Sequence, residues 1–137
     1  ASKSATAPPP ARDNSLAPEA DYVREIQADP LMLFRYSALT FNAHRIHYDR
    51  DYVTGEEGYP GLLVHGPLMA TLLAGLAVEH YPTRPLAKFA FRAVAPVFDL
   101  APFEIGGTSP DDAGNIALWV ANSGGEVCMK ATAAVAF

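Results

Sequence analysis

The sequence predicts an α+β domain in which an antiparallel β-sheet wraps around one long, buried apolar helix. Residues 68–81 form a segment of helical length with almost no polar interruption, and a helix that is apolar all round belongs in a protein core. Strand-like runs follow it, and the last two are separated by the hairpin signal Ser123-Gly124-Gly125. The four runs span residues 86–94, 102–108, 115–122 and 127–137.

The composition is that of a single globular domain. The 137 residues are 50% hydrophobic and 18% charged, with a formal net charge of −5, so one core is expected. No basic block is present, and nucleic acid is therefore not an expected partner. The single cysteine, Cys128, excludes internal disulfides and cysteine-rich zinc sites. The longest uncharged apolar stretch, residues 66–78, is too short to span a bilayer. Without a signal-like apolar segment, we expect a cytoplasmic protein with no membrane contact.

The first 20 residues are typical of a tail. Pro8-Pro9-Pro10 favours an extended conformation, and the neighbouring small and polar residues offer little to pack. We expect residues 1–20 to be a disordered, proline-rich tail or linker and residues 21–137 to form the single domain. The ordered part would begin with a short strand at residues 21–26.

A short helix and a polar segment follow that strand. Asp29 can cap the helix and Pro30 suits its first position, which predicts a helix up to Leu39. Residues 40–52 are polar and rich in histidine, and residues 54–61 form a loop with three glycines and a proline.

The apolar helix at residues 68–81 has Pro67 at its start and Pro82 beyond its end. In the last run, Val127 and every second residue after it are apolar, which predicts a strand with one face toward the core. Lys130 and Thr132, together with Cys128, are predicted to face the other way. An antiparallel sheet around one buried apolar helix is the hot dog architecture.

Three of the four histidines, His44, His47 and His65, lie close together in the sequence. His44 and His47 are three residues apart, as in a metal site on a helix, but no third-ligand pattern accompanies them. We therefore predict no metal and no other cofactor. Because an imidazole with a pKa of about 6.5 exchanges protons at neutral pH, His47 is the candidate for acid–base catalysis.

Gly66 precedes the apolar helix, where its backbone N–H group can project from the positive helix end without a side chain in front of it. Such an amide can stabilise a carbonyl oxygen that gains negative charge during a reaction. A plain helix cap remains the alternative interpretation of this position.

Residues 34–49 (FRYSALTFNAHRIHYD) and 58–68 (GYPGLLVHGPL) resemble the MaoC-like branch of the hot dog superfamily. The similarity is to the type 2 3-hydroxyacyl-thioester dehydratases and the mesaconyl-CoA and itaconyl-CoA hydratases. The general family motif is Asp-x-Asn-Pro-x-His. His47 takes its histidine position and Asn42 its aspartate position, while His44 and Arg45 replace the Asn and Pro.

The resemblance implies a hydro-lyase that adds water to, or removes it from, an acyl thioester without a cofactor. His47 would move the proton, Asn42 would hold the water, and the Gly66 amide would stabilise the thioester oxygen. We expect the substrate, an acyl-CoA or an acyl carrier protein thioester, to contact five residues near the second motif. These are Tyr59, Pro60, Gly61, Val64 and His65.

Two alternatives remain open. A hot dog thioesterase would need a carboxylate beside the thioester, and the apolar helix offers only Glu79, at its far end. A non-catalytic acyl-thioester-binding half of a double hot dog protein is the other possibility. For each of these interpretations, the hydro-lyase included, we expect a homodimer or pairing with a second hot dog unit, because a single curved sheet leaves an exposed edge strand.

Overall fold

The computed structural model describes residues 15–136, which form one five-stranded antiparallel sheet and three α-helices. The sheet order is β1-β3-β4-β5-β2. The strands are β1 Tyr22–Ile26, β2 Leu86–Ala93, β3 Phe103–Gly107, β4 Asn115–Ala121 and β5 Val127–Val135. The helices are α1 Pro30–Thr40, α2 Arg50–Gly55 and α3 Gly66–His80, and a 3-10 turn covers Arg45–His47. The predicted α+β hot dog arrangement is confirmed.

Helix α1 begins and ends on local signals. The Asp29 carboxylate accepts a hydrogen bond from the Met32 amide at 2.8 Å, as the cap prediction requires. At the other end, the Asn42 amide donates to the Ser37 carbonyl at 2.9 Å and the Phe41 amide donates to the Ala38 carbonyl at 3.4 Å. These two bonds form a Schellman motif, whose pivot residue must be left-handed. Phe41 occupies that pivot, with φ 54° and ψ 33°.

The polar segment after α1 contains more regular structure than the sequence predicted. The 3-10 turn is followed directly by α2, whose first amides are capped by Asp49 through a 3.0 Å bond from the Tyr52 amide. Helix α2 continues to Gly55, where the sequence predicted a loop from residue 54. The difference arises because an Asp cap outweighs the weak helix propensity of this short segment.

Helix α3 lies against the sheet and forms the centre of the core. Its buried residues are Leu68, Met69, Ala70, Leu73, Leu76 and Ala77, and they share one cluster with Phe103 and Ile105 of β3. The opposite face is not covered within the described residues, because Thr71, Gly75 and Val78 are exposed. The prediction that this helix is buried all round is therefore wrong for a single chain.

A short segment before β1 pairs with the chain near the end of β4 and the start of β5. The Val127 amide donates to the Ser15 carbonyl and the Ala17 amide to the Gly125 carbonyl, each at 2.9 Å. Residues 15–17, which the sequence assigned to the tail, thus pair beside the β4–β5 turn, while the domain boundary at residue 21 stays a prediction. Residues 1–14, which hold most of the predicted tail, lie outside the described residues.

Strand β5 alternates largely as predicted. Met129 and Val135 are buried, whereas Lys130 and Thr132 are exposed. Cys128 is the exception, because it is fully buried on the face predicted to point outward. The backbone of residues 94–95 folds against it, with both amides donating to its carbonyl. Cys128 is therefore a core residue, and its burial raises the pKa of the thiol.

In the described part of the chain, no helix is long and apolar enough to cross a membrane.

Candidate active site

Two histidine side chains from different elements are stacked beneath the surface. His47 comes from the 3-10 turn and His65 is the N-cap of α3. Their ring centroids are 3.7 Å apart and their planes differ by 17°. Only 8% of His47 and 1% of His65 is exposed. The fold therefore brings together two of the histidines that the sequence singled out.

His47 is held in a single tautomer. Its Nδ1 lies 2.8 Å from the Leu63 carbonyl oxygen, and because a carbonyl only accepts, Nδ1 carries the proton and donates. The other ring nitrogen, Nε2, is then left with a lone pair in the neutral ring. Burial lowers the pKa of His47, and nearby His44 lowers it further, while the bond to Leu63 acts in the opposite direction. His47 is accordingly neutral at pH 7 and can accept a proton at Nε2.

His65 is anchored by a serine that the sequence did not assign to the site. Its Nε2 lies 2.8 Å from the Ser37 hydroxyl, in a buried hydrogen bond, and the Tyr36 ring meets it edge-on at 4.7 Å. The Nδ1 atom is buried with no hydrogen-bond partner. Burial, assisted by His47, lowers the pKa of His65 to about 4. This ring is therefore uncharged at neutral pH and supports His47 from one face.

Asn42 follows directly after the Schellman motif that ends α1. Its side-chain oxygen accepts the His44 amide at 3.0 Å, which closes a local turn. The side-chain nitrogen has no hydrogen-bond partner within residues 15–136, so the group keeps two free N–H donors. An amide in this state can orient a water molecule or a hydroxyl group, as predicted, but cannot take up a proton.

Asn42 and Ser37 also line an open groove of about 320 Å³ on the surface of the chain. Its other lining residues are mostly apolar: Phe34, Ala38, Phe41, Ala43 and Tyr48. The groove thus joins an apolar surface to the residues that surround the histidine pair.

Gly66 is the first residue of α3, as its predicted role requires. In the first turn, the Met69 amide donates to the His65 carbonyl, whereas the Gly66 amide has no acceptor among the described residues. A Cβ atom placed on Gly66 would meet nothing within 4 Å. The side-chain position of Gly66 is therefore open, and its amide lies at the positive end of a 15-residue helix, where a developing oxyanion would be stabilised.

The structure separates the residues that were predicted to bind substrate. Tyr59 and Pro60 lie on the loop surface, and the Tyr59 ring packs near Phe98 at 5.9 Å. A Cβ on Gly61 would come within 2.9 Å of both Asp99 and Leu100, so that position faces the chain itself.

Val64 and His65 likewise face inward. Val64 is buried and its amide donates to the Val97 carbonyl at 2.8 Å. His65 contacts Ser37 and His47, as described above. Long-range contacts within the chain therefore enclose the side-chain positions of Gly61, Val64 and His65, and the assignment of substrate binding to these residues stays a prediction.

An ion pair fixes the segment that orients His47. The Arg50 guanidinium bonds to the buried carboxylate of Asp99, which also accepts the Leu62 amide at 3.0 Å. Leu62 precedes Leu63, whose carbonyl holds His47. Sequence reasoning missed this pair because its members are 49 residues apart, and no local pattern connects them.

The histidine cluster has no metal-site geometry. The rings of His44 and His47 meet edge-on with centroids 5.9 Å apart. Among the residues that the structure describes, no group of three or more His, Cys, Asp or Glu side chains could hold a metal ion.

The antiparallel sheet and its central helix define a hot dog protein. Its candidate acid–base site combines the buried histidine His47, the Asn42 side-chain amide and the N–H group of Gly66. Comparison with known sequences specifies the family. The sequence model of hydroxyacyl-thioester dehydratase type 2 matches residues 1–99. The chain belongs to this family.

Known proteins agree with this assignment. The chain is 63% identical over 82 residues to mesaconyl-C(4)-CoA hydratase of Chloroflexus aurantiacus, which covers 60% of the chain and 29% of that protein. It is thus matched over less than a third of that relative's length. A solved MaoC-like dehydratase superposes with a TM-score of 0.72 at 24% identity, covering 91% of this chain and 41% of that one. The ChsH1-ChsH2 complex of Mycobacterium tuberculosis gives a TM-score of 0.72 at 17% identity, covering 85% and 93%. These two structures share the fold.

Proposed function

We propose that this chain carries the active site of a hydro-lyase that adds water to the double bond of an enoyl thioester or removes it from the 3-hydroxyacyl thioester. The observation that supports this most directly is the buried, neutral His47. The Leu63 carbonyl fixes its Nδ1, which leaves Nε2 to take up a proton. The family to which the chain belongs supports the same chemistry.

In the dehydration direction, His47 Nε2 removes the proton at C2 of the 3-hydroxyacyl thioester. The electron pair from that C–H bond passes toward the thioester carbonyl, and the Gly66 amide donates to its oxygen as negative charge develops. The C3–O bond then breaks as His47 returns its proton to the departing hydroxyl, which Asn42 holds, so that water leaves. A well-placed oxyanion donor contributes roughly 3–4 kcal/mol of transition-state stabilisation. Hydration runs through the same steps in reverse.

Thioester hydrolysis is the weaker candidate, because three described carboxylates that a thioesterase could use are each held by an arginine. Glu79 lies at the far end of α3 and pairs with Arg24 at 2.6 Å. Asp49 caps α2 and pairs with Arg45 at 2.9 Å. Asp99 is held by Arg50.

The name of the Chloroflexus relative suggests the substrate to test first, mesaconyl-C(4)-CoA. The purified chain would be incubated separately with mesaconyl-C(4)-CoA and crotonyl-CoA, and loss of the enoyl absorbance and release of free CoA thiol would be followed. Loss of absorbance without free thiol supports the proposal. Release of thiol would identify a thioesterase, and no reaction on either substrate would favour the non-catalytic binding half; both outcomes contradict the proposal.

We also propose that the chain pairs with a second hot dog unit, either another copy or a separate chain, through strand β2. Strand β2 is an edge of the sheet, eight residues long, and its Phe91 is 49% exposed. Exposed apolar edges of this length favour strand pairing.

Light scattering after size exclusion tests the homodimer arm of this pairing. We expect twice the mass of the chain, and a lower mass for Phe91→Asp. The matched control is Val23→Asp on the opposite edge, β1, where Val23 is 57% exposed and no effect is expected. A wild-type monomer that is fully active in the hydration assay would contradict pairing.

A further inference from the structure

Ser37 is hydrogen-bonded both to His65 and to the backbone of Asn42, although the proposed reaction gives it no chemical step. Its hydroxyl is hydrogen-bonded to His65 at 2.8 Å, and its backbone carbonyl accepts the Asn42 amide at 2.9 Å. Only 6% of the residue is exposed. The Ser37 side chain is buried and hydrogen-bonds to the His65 ring, 28 residues away in the sequence. A buried hydroxyl needs such a partner, because it cannot bond to solvent.

We propose that Ser37 is the positioning residue of this site: it fixes the ring plane of His65, and through the stacked rings it fixes the plane of the catalytic base His47. This inference rests on the proposed function, because it describes how that site is held in place. Ser37 itself is not expected to touch the substrate.

The geometry shows why His47 needs this support. Its hydrogen bond to the Leu63 carbonyl fixes the position of one atom, Nδ1. This single hydrogen bond does not by itself fix the tilt of the ring plane. Two rings pack against it: His44 edge-on at 5.9 Å and His65 face-on at 3.7 Å. The face-on contact is the one that fixes the ring plane and hence the direction of the Nε2 lone pair.

His65 in turn depends on Ser37. Its Nδ1 has no partner, so the bond from Nε2 to the Ser37 hydroxyl is the only hydrogen bond of this side chain among the described residues. Tyr36 packs on the ring edge and gives it no polar anchor. Without the hydroxyl, both ring nitrogens would be buried and unpaired, which favours rotation of the ring or entry of water.

Ser37→Ala tests the proposal in the purified full chain, and Thr40→Ala is the matched control. Thr40 lies on the same helix and is exposed, and its hydroxyl bonds only to the Tyr36 carbonyl, at 2.7 Å. Because small displacements of a catalytic group are costly, we expect kcat of Ser37→Ala to fall by about tenfold or more, with KM within about twofold. Thr40→Ala should keep both constants.

Two further readouts separate positioning from a general loss of structure. Water entering beside His47 would weaken the desolvation that lowers its pKa, so the acid limb of kcat/KM should move to higher pH in Ser37→Ala. Imidazole ¹⁵N NMR of the substrate-free protein should show altered signals for both His65 and His47. If Ser37→Ala does not fold, Ser37→Cys keeps the side-chain size with a weaker hydrogen-bonding group and should show the same changes to a smaller degree.

Unchanged kcat, pH profile and His47 signals in a folded Ser37 variant would overturn the proposal. Failure of the proposed function would look different, because the wild-type chain would then lack hydration activity. In that case the NMR comparison still decides whether Ser37 controls the His47 ring, since it needs no substrate.

Discussion

Replacing Phe41 by glycine should stabilise the protein, although it removes a large apolar side chain. Phe41 is the pivot of the Schellman motif at the end of α1, with φ 54°, and it is 95% exposed. A side chain in the left-handed region costs about 1–2 kcal/mol, and the exposed phenyl ring contributes almost no burial within the chain. Glycine lacks this strain but loses about 0.5–1 kcal/mol more backbone entropy on folding. The net gain is about 0.5–1 kcal/mol.

Urea unfolding followed by circular dichroism measures this gain, and Phe41→Ala is the control. Alanine also removes the phenyl ring but keeps the Cβ that causes the strain, so its free energy of unfolding should stay close to that of the wild type. For a domain of this size, the glycine variant should melt about 2–5 °C higher. A glycine variant no more stable than the alanine variant would refute the reasoning, because the left-handed backbone would then carry no strain.

Three further predictions concern the site. His47→Ala should lower the hydration turnover measured in steady-state assays by about a hundredfold or more. Asn42→Ala should lower it by a smaller factor, and a larger loss for Asn42→Ala than for His47→Ala would mean that the two residues have exchanged roles. Gly66→Val should fold, since a Cβ at this position meets open space, yet lower hydration turnover by up to about a hundredfold, because the larger side chain would obstruct the thioester oxygen at the amide; an unchanged kcat would show that Gly66 serves only as a helix cap. The pKa of His65 is lowered from 6.5 to about 4 in the folded protein. As the pH falls, this imidazole therefore takes up a proton in the unfolded chain at a higher pH than in the folded one. Wild-type stability should therefore decline as pH falls from about 6.5 to 4, and chemical unfolding across this range should show a smaller decline for His65→Gln.

The sequence was sufficient to predict most of the helices and strands and to single out candidate site residues. Helix α1, helix α3 and all five strands follow from local periodicity, caps and turn residues, which act over a few positions. His47 and Gly66 could be singled out because each lies in an informative local setting, a polar turn and a helix start.

The contacts that hold the site could not be predicted in the same way. Ser37 meets His65 across 28 residues, and Arg50 meets Asp99 across 49, so only the folded chain shows these pairs. The same reason applies to two of the residues predicted to bind substrate. Gly61 and Val64 belong to the second motif, and only the folded chain shows that residues 97–100 lie against them.

The sheet order separates the part of the chain that makes the fold from the part that makes the site. Strands β3, β4 and β5 are consecutive and pair with their neighbours in the chain, whereas β1 and β2 lie at opposite edges. Every candidate site residue lies in the one connection between these edges, residues 27–85, and the family match, residues 1–99, ends before β3. The reaction can therefore diverge through changes in one continuous segment while the β3–β5 meander preserves the shape. Such a division marks residues 27–85 as the segment to exchange when substrate preference is to be altered.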